Sequence, residues 1–180
     1  MLRAQEPTPS GIFTILIQGS ITEESGREIV AQISGVPAGV RTIAVVIDSD
    51  GGALPEIFAV ADALASASVT TVAYVKNAVA SAVFIVAASD KIVTDRYGVI
   101  GGAGVVSRDF LCLSDSLFAA VREELTVKLR RYAEQKRHDS DIFVAMLDHQ
   151  SSLVRGGKEW KPPGEILSLT AEDMLCLGLA

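Results

Sequence analysis

Residues 42–52 read TIAVVIDSDGG. From Thr42 to Asp48 the stretch is almost continuously apolar, the pattern of a strand buried on both faces of a parallel sheet rather than the alternation of a half-solvated one. It ends in a polar Gly-Gly turn and is followed by helix-forming residues from Pro55 to about Ser66, which makes it the first half of a strand–helix–strand unit. Working outward, GIFTILIQG (residues 11–19) is rich in β-branched residues and predicts a strand over Ile12 to Ile17 that ends at Gly19. Thr22 followed by Glu23 and Glu24 supplies a helix cap and first-turn acids. Ile29, Val30 and Ile33 then form a helical stripe that should stop near Gly35 and Pro37. Downstream, VTTVAYV (69–75) predicts a strand, residues 80–88 an apolar helix and KIVTD (91–95) another strand.

Parallel strands need crossover helices, so this alternation predicts an α/β domain of stacked βαβ units, a mostly parallel sheet flanked by helices. A long helix from about Asp115 to Arg137 and a shorter one from Ser140 to Asp148 follow. The tail should give a polar loop RGGKEWKPPGE, a strand ILSL and a helix opened by Thr170.

With 180 residues, 49% of them hydrophobic and 21% charged, the chain suits one well-cored domain, residues 1–180. No apolar run approaches the roughly 18 residues of a membrane span, and MLRAQEPTPS lacks the apolar core of a secretory signal. Sixteen basic against 22 acidic residues give a net charge of −6, which argues against nucleic acid as a partner. The locally basic KLRRYAEQKRH (128–138) reads as a solvated helix face. Cys112 and Cys176 are too few and too distant for a disulfide framework or zinc site and read as small core residues. No cofactor or metal is expected, and His138 and His149 read as solvated charges at helix ends.

In open α/β sheets ligands bind beyond the carboxyl ends of the strands, which singles out the loops after Asp48 and after Val75. The first, SDGG, exposes backbone N–H groups before a helix and suits either an oxyanion or a turn requiring positive φ. The second, KNAVAS, brings Ser81 to a helix start, where a serine is either a cap or a nucleophile.

The two loops in this order carry a resemblance. VVIDSDGGALPEIFAVADAL (45–64), ASAVFIVAASDKIV (80–93), GVIGGAGVV (98–106) and EILSLTAEDMLCLGLA (165–180) together resemble the ClpP/crotonase superfamily, and within it the SppA and NfeD-like membrane-associated serine proteases. The resemblance implies peptide-bond hydrolysis with Ser81 as nucleophile, Gly51 and Gly52 forming the turn, and the N–H groups of Gly52 and Ala82 as the oxyanion hole. It also implies a lysine base, a peptide or membrane-protein substrate and a homo-oligomer. Any membrane association would run through segments outside this chain, which reads as a piece of a longer one.

A lysine is a base only when burial lowers its pKa from about 10.4. Among the six lysines, Lys128 alone interrupts an apolar helical stripe, that of Phe118, Val121, Leu125 and Tyr132. The family's lysine usually falls near the start of the long helix, where LCLSDSLFAAVRE contains Arg122 and no lysine. Three readings follow: a Ser81–Lys128 serine peptidase, a catalytically silent ClpP-fold scaffold or peptide-binding module, and a crotonase-type acyl-CoA enzyme, which would not normally carry serine at position 81.

Overall fold

The computed structural model describes residues 11–103 and 115–180. Strands β1 (Ile12–Gln18), β2 (Thr42–Ser49), β3 (Thr70–Val79) and β4 (Lys91–Gly101) lie side by side in chain order, each parallel to the next. Strand β7 (Ser168–Thr170) closes the sheet antiparallel to the end of β4. Helices α1 (Glu23–Ser34), α2 (Leu54–Ala65) and the short α3 (Val83–Ala87) make the crossovers, and α4 (Asp115–Gln135), α5 (Ser140–Leu147) and α6 (Ala171–Cys176) complete the chain. This is the mixed α/β, mostly parallel architecture that the strand–helix grammar predicts.

Local chemistry accounts for the helix ends. Thr22 and Ser25 form a capping box on α1, Gly35 closes it, and Thr170 with Asp173 does the same for the start of α6. The core is one-sided. Phe13, Ile15 and Ile17, then Ile43, Val45 and Ile47, then Ala73 and Val75, point to one face and join Ile29, Ile57, Val60, Leu64 and residues 83–88 in a single cluster. Their neighbours Leu16, Ala44, Val46 and Val72 point to the other face, are half-buried and lie outside that cluster. The expectation that 42–48 is buried on both faces is therefore corrected: β2 alternates, with aliphatic residues on both sides of the pleat.

Three further expectations change. Strand β3 does not end at Val75 but passes a bulge at Lys76 and continues to Val79, pairing Asn77–Val79 with Val99–Gly101 of β4; the polar Lys76 and Asn77 disguise this. The segment read as a loop, RGGKEWKPPGE, contains a hairpin of β5 (Leu153–Arg155) and β6 (Lys158–Lys161). Its turn is Gly156-Gly157, both at positive φ, which is a type I′ hairpin signal. Cys176 is exposed, because α6 is only six residues long and presents Ala171 and Met174 to the core instead. Cys112 lies outside the described residues.

Candidate active site

The Gly-Gly turn is built by its neighbours. Ser49, buried at the end of β2, donates its hydroxyl to the Gly19 carbonyl at 2.6 Å and accepts the Gly51 N–H at 3.1 Å. Ile21 N–H donates to the Gly51 carbonyl at 2.7 Å, and Ala53 N–H donates to the Ile21 carbonyl at 3.3 Å. Gly51 stands at φ +92°, a conformation that excludes ordinary side chains, and a Cβ there would collide with Ser81 Oγ. A Cβ on Gly52 would collide with the Ile21 carbonyl. Both glycines are thus required by close approach, and Gly51 by backbone shape as well.

Ser81 arrives from the other side. Strand β3 ends at Val79, and a 3-10 turn over Ala80–Ala82 begins with Ala80 at φ +49°, an uncommon conformation for a residue with a side chain. The turn aims Ser81 back at the Gly-Gly loop. Gly52 N–H donates to Ser81 Oγ at 3.0 Å, and Ser81 Oγ donates to the Gly52 carbonyl at 3.1 Å. The position a Gly51 Cβ would take lies 3.2 Å from Ala82 N, so the turn, the serine and the second expected donor converge. Ser81 is 4% exposed, folded over Gly52 rather than open to a cleft. A cavity of about 340 Å³ lies elsewhere, beside β4, lined by Arg96, Tyr97, Thr170 and Glu172 among others.

The expected base is not joined to this pair. Lys128, on α4, holds its ammonium 3.9 Å from the ring centroid of Phe58 on α2, and Phe58 in turn meets Phe84 edge-on at 5.3 Å. A cation over an aromatic face is attracted by the ring's electron density, which fixes the side chain on Phe58. Phe118 belongs to that stripe, but its side chain lies outside the described residues. Two other lysines are more deeply buried, though no apolar stripe announces them. Lys136 is 7% exposed in its side chain and bridges Asp90 at 2.7 Å. Lys161 is fully buried, donates to the carbonyls of Asp148 and Ser151 and to the Ser151 hydroxyl, and is pushed below the ordinary lysine range by burial. Among the described residues no lysine or histidine is hydrogen-bonded to Ser81. His138 is not a solvated charge either, since its Nε2 lies 2.7 Å from the Ser89 carbonyl and its ring packs on Phe143. No group of His, Cys, Asp and Glu among the described residues is arranged to hold a metal ion.

The family model for Clp protease matches residues 11–98, the span that holds Gly51, Gly52, Ser81 and Ala82. Over that span the chain is similar to the Clp protease family, and its fold is the ClpP fold. Among solved structures, a serine-to-alanine mutant of the 1510-N membrane-bound stomatin-specific protease matches with a TM-score of 0.70 at 16% identity, over 93% of this chain and 75% of that one. A lysine-to-alanine mutant of the same protease, in complex with a substrate peptide, gives 0.69 at 16% identity, over 93% and 71%. An asparagine-to-aspartate mutant of ClpP1 from Listeria monocytogenes gives 0.58 at 16% identity, over 93% and 88%. No curated protein sequence matches. This ClpP-fold domain shares its sheet and crossovers with proteases, and no described helix is long and apolar enough to cross a membrane.

Proposed function

We propose that the chain is a serine peptidase domain of the SppA and NfeD-like type, with Ser81 as nucleophile and the N–H groups of Gly52 and Ala82 receiving the oxyanion. The observation that carries this reading is the 3.0 Å bond from Gly52 N–H to Ser81 Oγ, made between loops 29 residues apart. In the reaction, Oγ leaves its bond to the Gly52 carbonyl and attacks the peptide carbonyl carbon. Its proton passes to a base and then to the departing amine, and water later cleaves the acyl-enzyme. The Gly52 N–H is freed as Oγ moves, so the same donor serves the resting hydroxyl and the tetrahedral oxyanion. Lys128 is the candidate base; it must leave the Phe58 ring and lose its proton to act. A peptide or membrane-protein segment is the substrate class, and a homo-oligomer with membrane anchorage outside this chain completes the reading.

A second reading, a peptide-binding module without hydrolysis, is favoured by a specific observation. The serine and lysine altered in the two stomatin-specific protease structures are separated by the same interval as Ser81 and Arg122 here. Arg122 points its guanidinium at Gln150, 3.5 Å away, and arginine does not give up its proton. The test combines labelling by a fluorophosphonate with cleavage of a mixed peptide library. The peptidase reading expects both activities in the parent, loss of both in Ser81→Ala, and loss of cleavage in Lys128→Met. Cleavage that survives Lys128→Met removes Lys128 as base. Peptide binding without cleavage or labelling establishes the silent module.

A further inference from the structure

The loop that carries Gly51 and Gly52 begins with a carboxylate that the Ser81 chemistry does not use. Asp50 is exposed, and the side-chain amide of Asn77 donates to its Oδ1 at 2.9 Å. The bulge in β3 makes this bond. Ile47 pairs with Val75 but Asp48 pairs with Asn77, so that Lys76 is passed over. An unbulged β3 would set Lys76 beside Asp48 and turn Asn77 to the face of the buried Ser49, whereas the bulge aims a neutral amide at Asp50 and displaces the cation. Lys76 and Arg96 exert their charge on Asp95 instead. Among the described residues no cation pairs with Asp50. The carboxylate is therefore anchored while its negative charge stays uncompensated.

The Asp50–Asn77 bond is not needed to shape the turn, which Ser49 and Ile21 already brace. Nor does the chemistry of the turn favour an anion beside it. Two residues of chain reach at most about 7 Å, so the Asp50 backbone stands within that distance of Gly52, inside the roughly 8–10 Å over which charges act through salt. A fixed negative charge so close opposes the charge that the Gly52 and Ala82 N–H groups would receive. A cation carried by the ligand cancels that opposition and is itself attracted to the carboxylate. We infer that Asp50 selects bound peptides carrying a cationic group, a Lys or Arg side chain or a free N-terminus, next to the segment that lies on the Gly51-Gly52 turn. This rests on reading that turn and Ser81 as a peptide site, whether or not the site cleaves. Asn77 holds the carboxylate in place, so less freedom is lost when the cation docks.

Binding is measured by fluorescence anisotropy on the whole chain carrying Ser81→Ala, so that hydrolysis cannot consume the probe. The probes are labelled peptide mixtures, alike except at one central position fixed as Lys, Leu or Glu, each with a free or an acetylated N-terminus. The Lys mixture should bind at least about fivefold more tightly than the Glu mixture, and added salt should narrow the gap. Adding Asp50→Asn, which keeps an acceptor for Asn77 and removes the charge, should abolish the preference with an unchanged circular dichroism spectrum. A preference for Lys among acetylated mixtures assigns the cation to the side chain, and affinity lost on acetylating the Leu mixture assigns it to the N-terminus. Lys and Glu mixtures bound alike, with no effect of acetylation, overturn the role of Asp50 and leave the peptide site standing. So does a preference that persists in Asp50→Asn. A chain that binds none of the mixtures overturns the peptide-site reading, and this inference with it.

Discussion

Gly51 shows how much of the site is decided by single positions. Gly19 also has positive φ, +70°, yet a Cβ there would meet nothing within 4 Å, whereas at Gly51 it would strike the serine hydroxyl. Gly19→Ala should therefore cost about 1 kcal/mol, the backbone penalty alone. Gly51→Ala should cost at least about 2 kcal/mol and displace Ser81, removing fluorophosphonate labelling before unfolding is reached. Urea titration of the two variants, with labelling in parallel, separates these effects. The glycines and Ser81 were readable because both loops interrupt strong apolar runs with small residues. Lys128 was chosen by its place in a helical stripe, and a stripe reports which side of a helix meets the core without saying what lies opposite. Opposite Lys128 is Phe58, contributed by a helix about 70 residues earlier, and no local pattern announces that meeting. Lys161 escaped notice for the same reason: its ligands are carbonyls of a loop that the sequence does not distinguish from any other.

At the scale of elements, the segment leaving α4 is tied to the turn before β4 by two polar contacts. Lys136 bridges Asp90, and His138 meets the Ser89 carbonyl. Asp90 also accepts the N–H and hydroxyl of Thr71, at 2.7 and 2.9 Å, and so links β3, β4 and α4. Burial alone would raise the Asp90 carboxyl, but the Lys136 ammonium and the two Thr71 bonds outweigh it and hold the group below the usual carboxylate range. Arg155 holds Asp139 low in the same sense, against some burial, and ties the hairpin to the start of α5. Both groups bind protons less readily folded than unfolded. Their stabilisation is present above an unfolded value of about 3.9 and is lost as pH falls through the lower folded values. Chemical unfolding followed from neutral pH into that acid window should show the loss. Lys136→Met should cost about 1–2 kcal/mol at pH 7, because Asp90 keeps partial access to water, and should flatten the acid limb of the curve. The basic stretch 128–138 is a solvated face that also carries fastenings, with Arg131 on Asp62 and Arg130 on Asp141 as exposed members beside the buried Lys136. Its positive charges were legible, but their acidic partners lie in other elements and were not.

For the whole molecule, the order of strands and helices followed from hydrophobic periodicity, while strand ends beyond a bulge or a polar interruption were misread, as at Lys76 and Asn77 in β3 and in β4, which runs past Asp95 to Gly101. What periodicity missed was the unequal treatment of the two sheet faces, since Val46 is as apolar as Val45 while only Val45 joins the core. The bracing of the Gly-Gly turn has one more consequence, for anyone wishing to move it. Its shape is held by Ser49 reaching the Gly19 carbonyl and by Ile21 bonding on both sides of the turn. The five residues from Ser49 to Ala53, grafted onto another sheet, would bring the donors without their support and relax into a different loop. The smallest portable unit is two adjacent parallel strands with both of their outgoing loops.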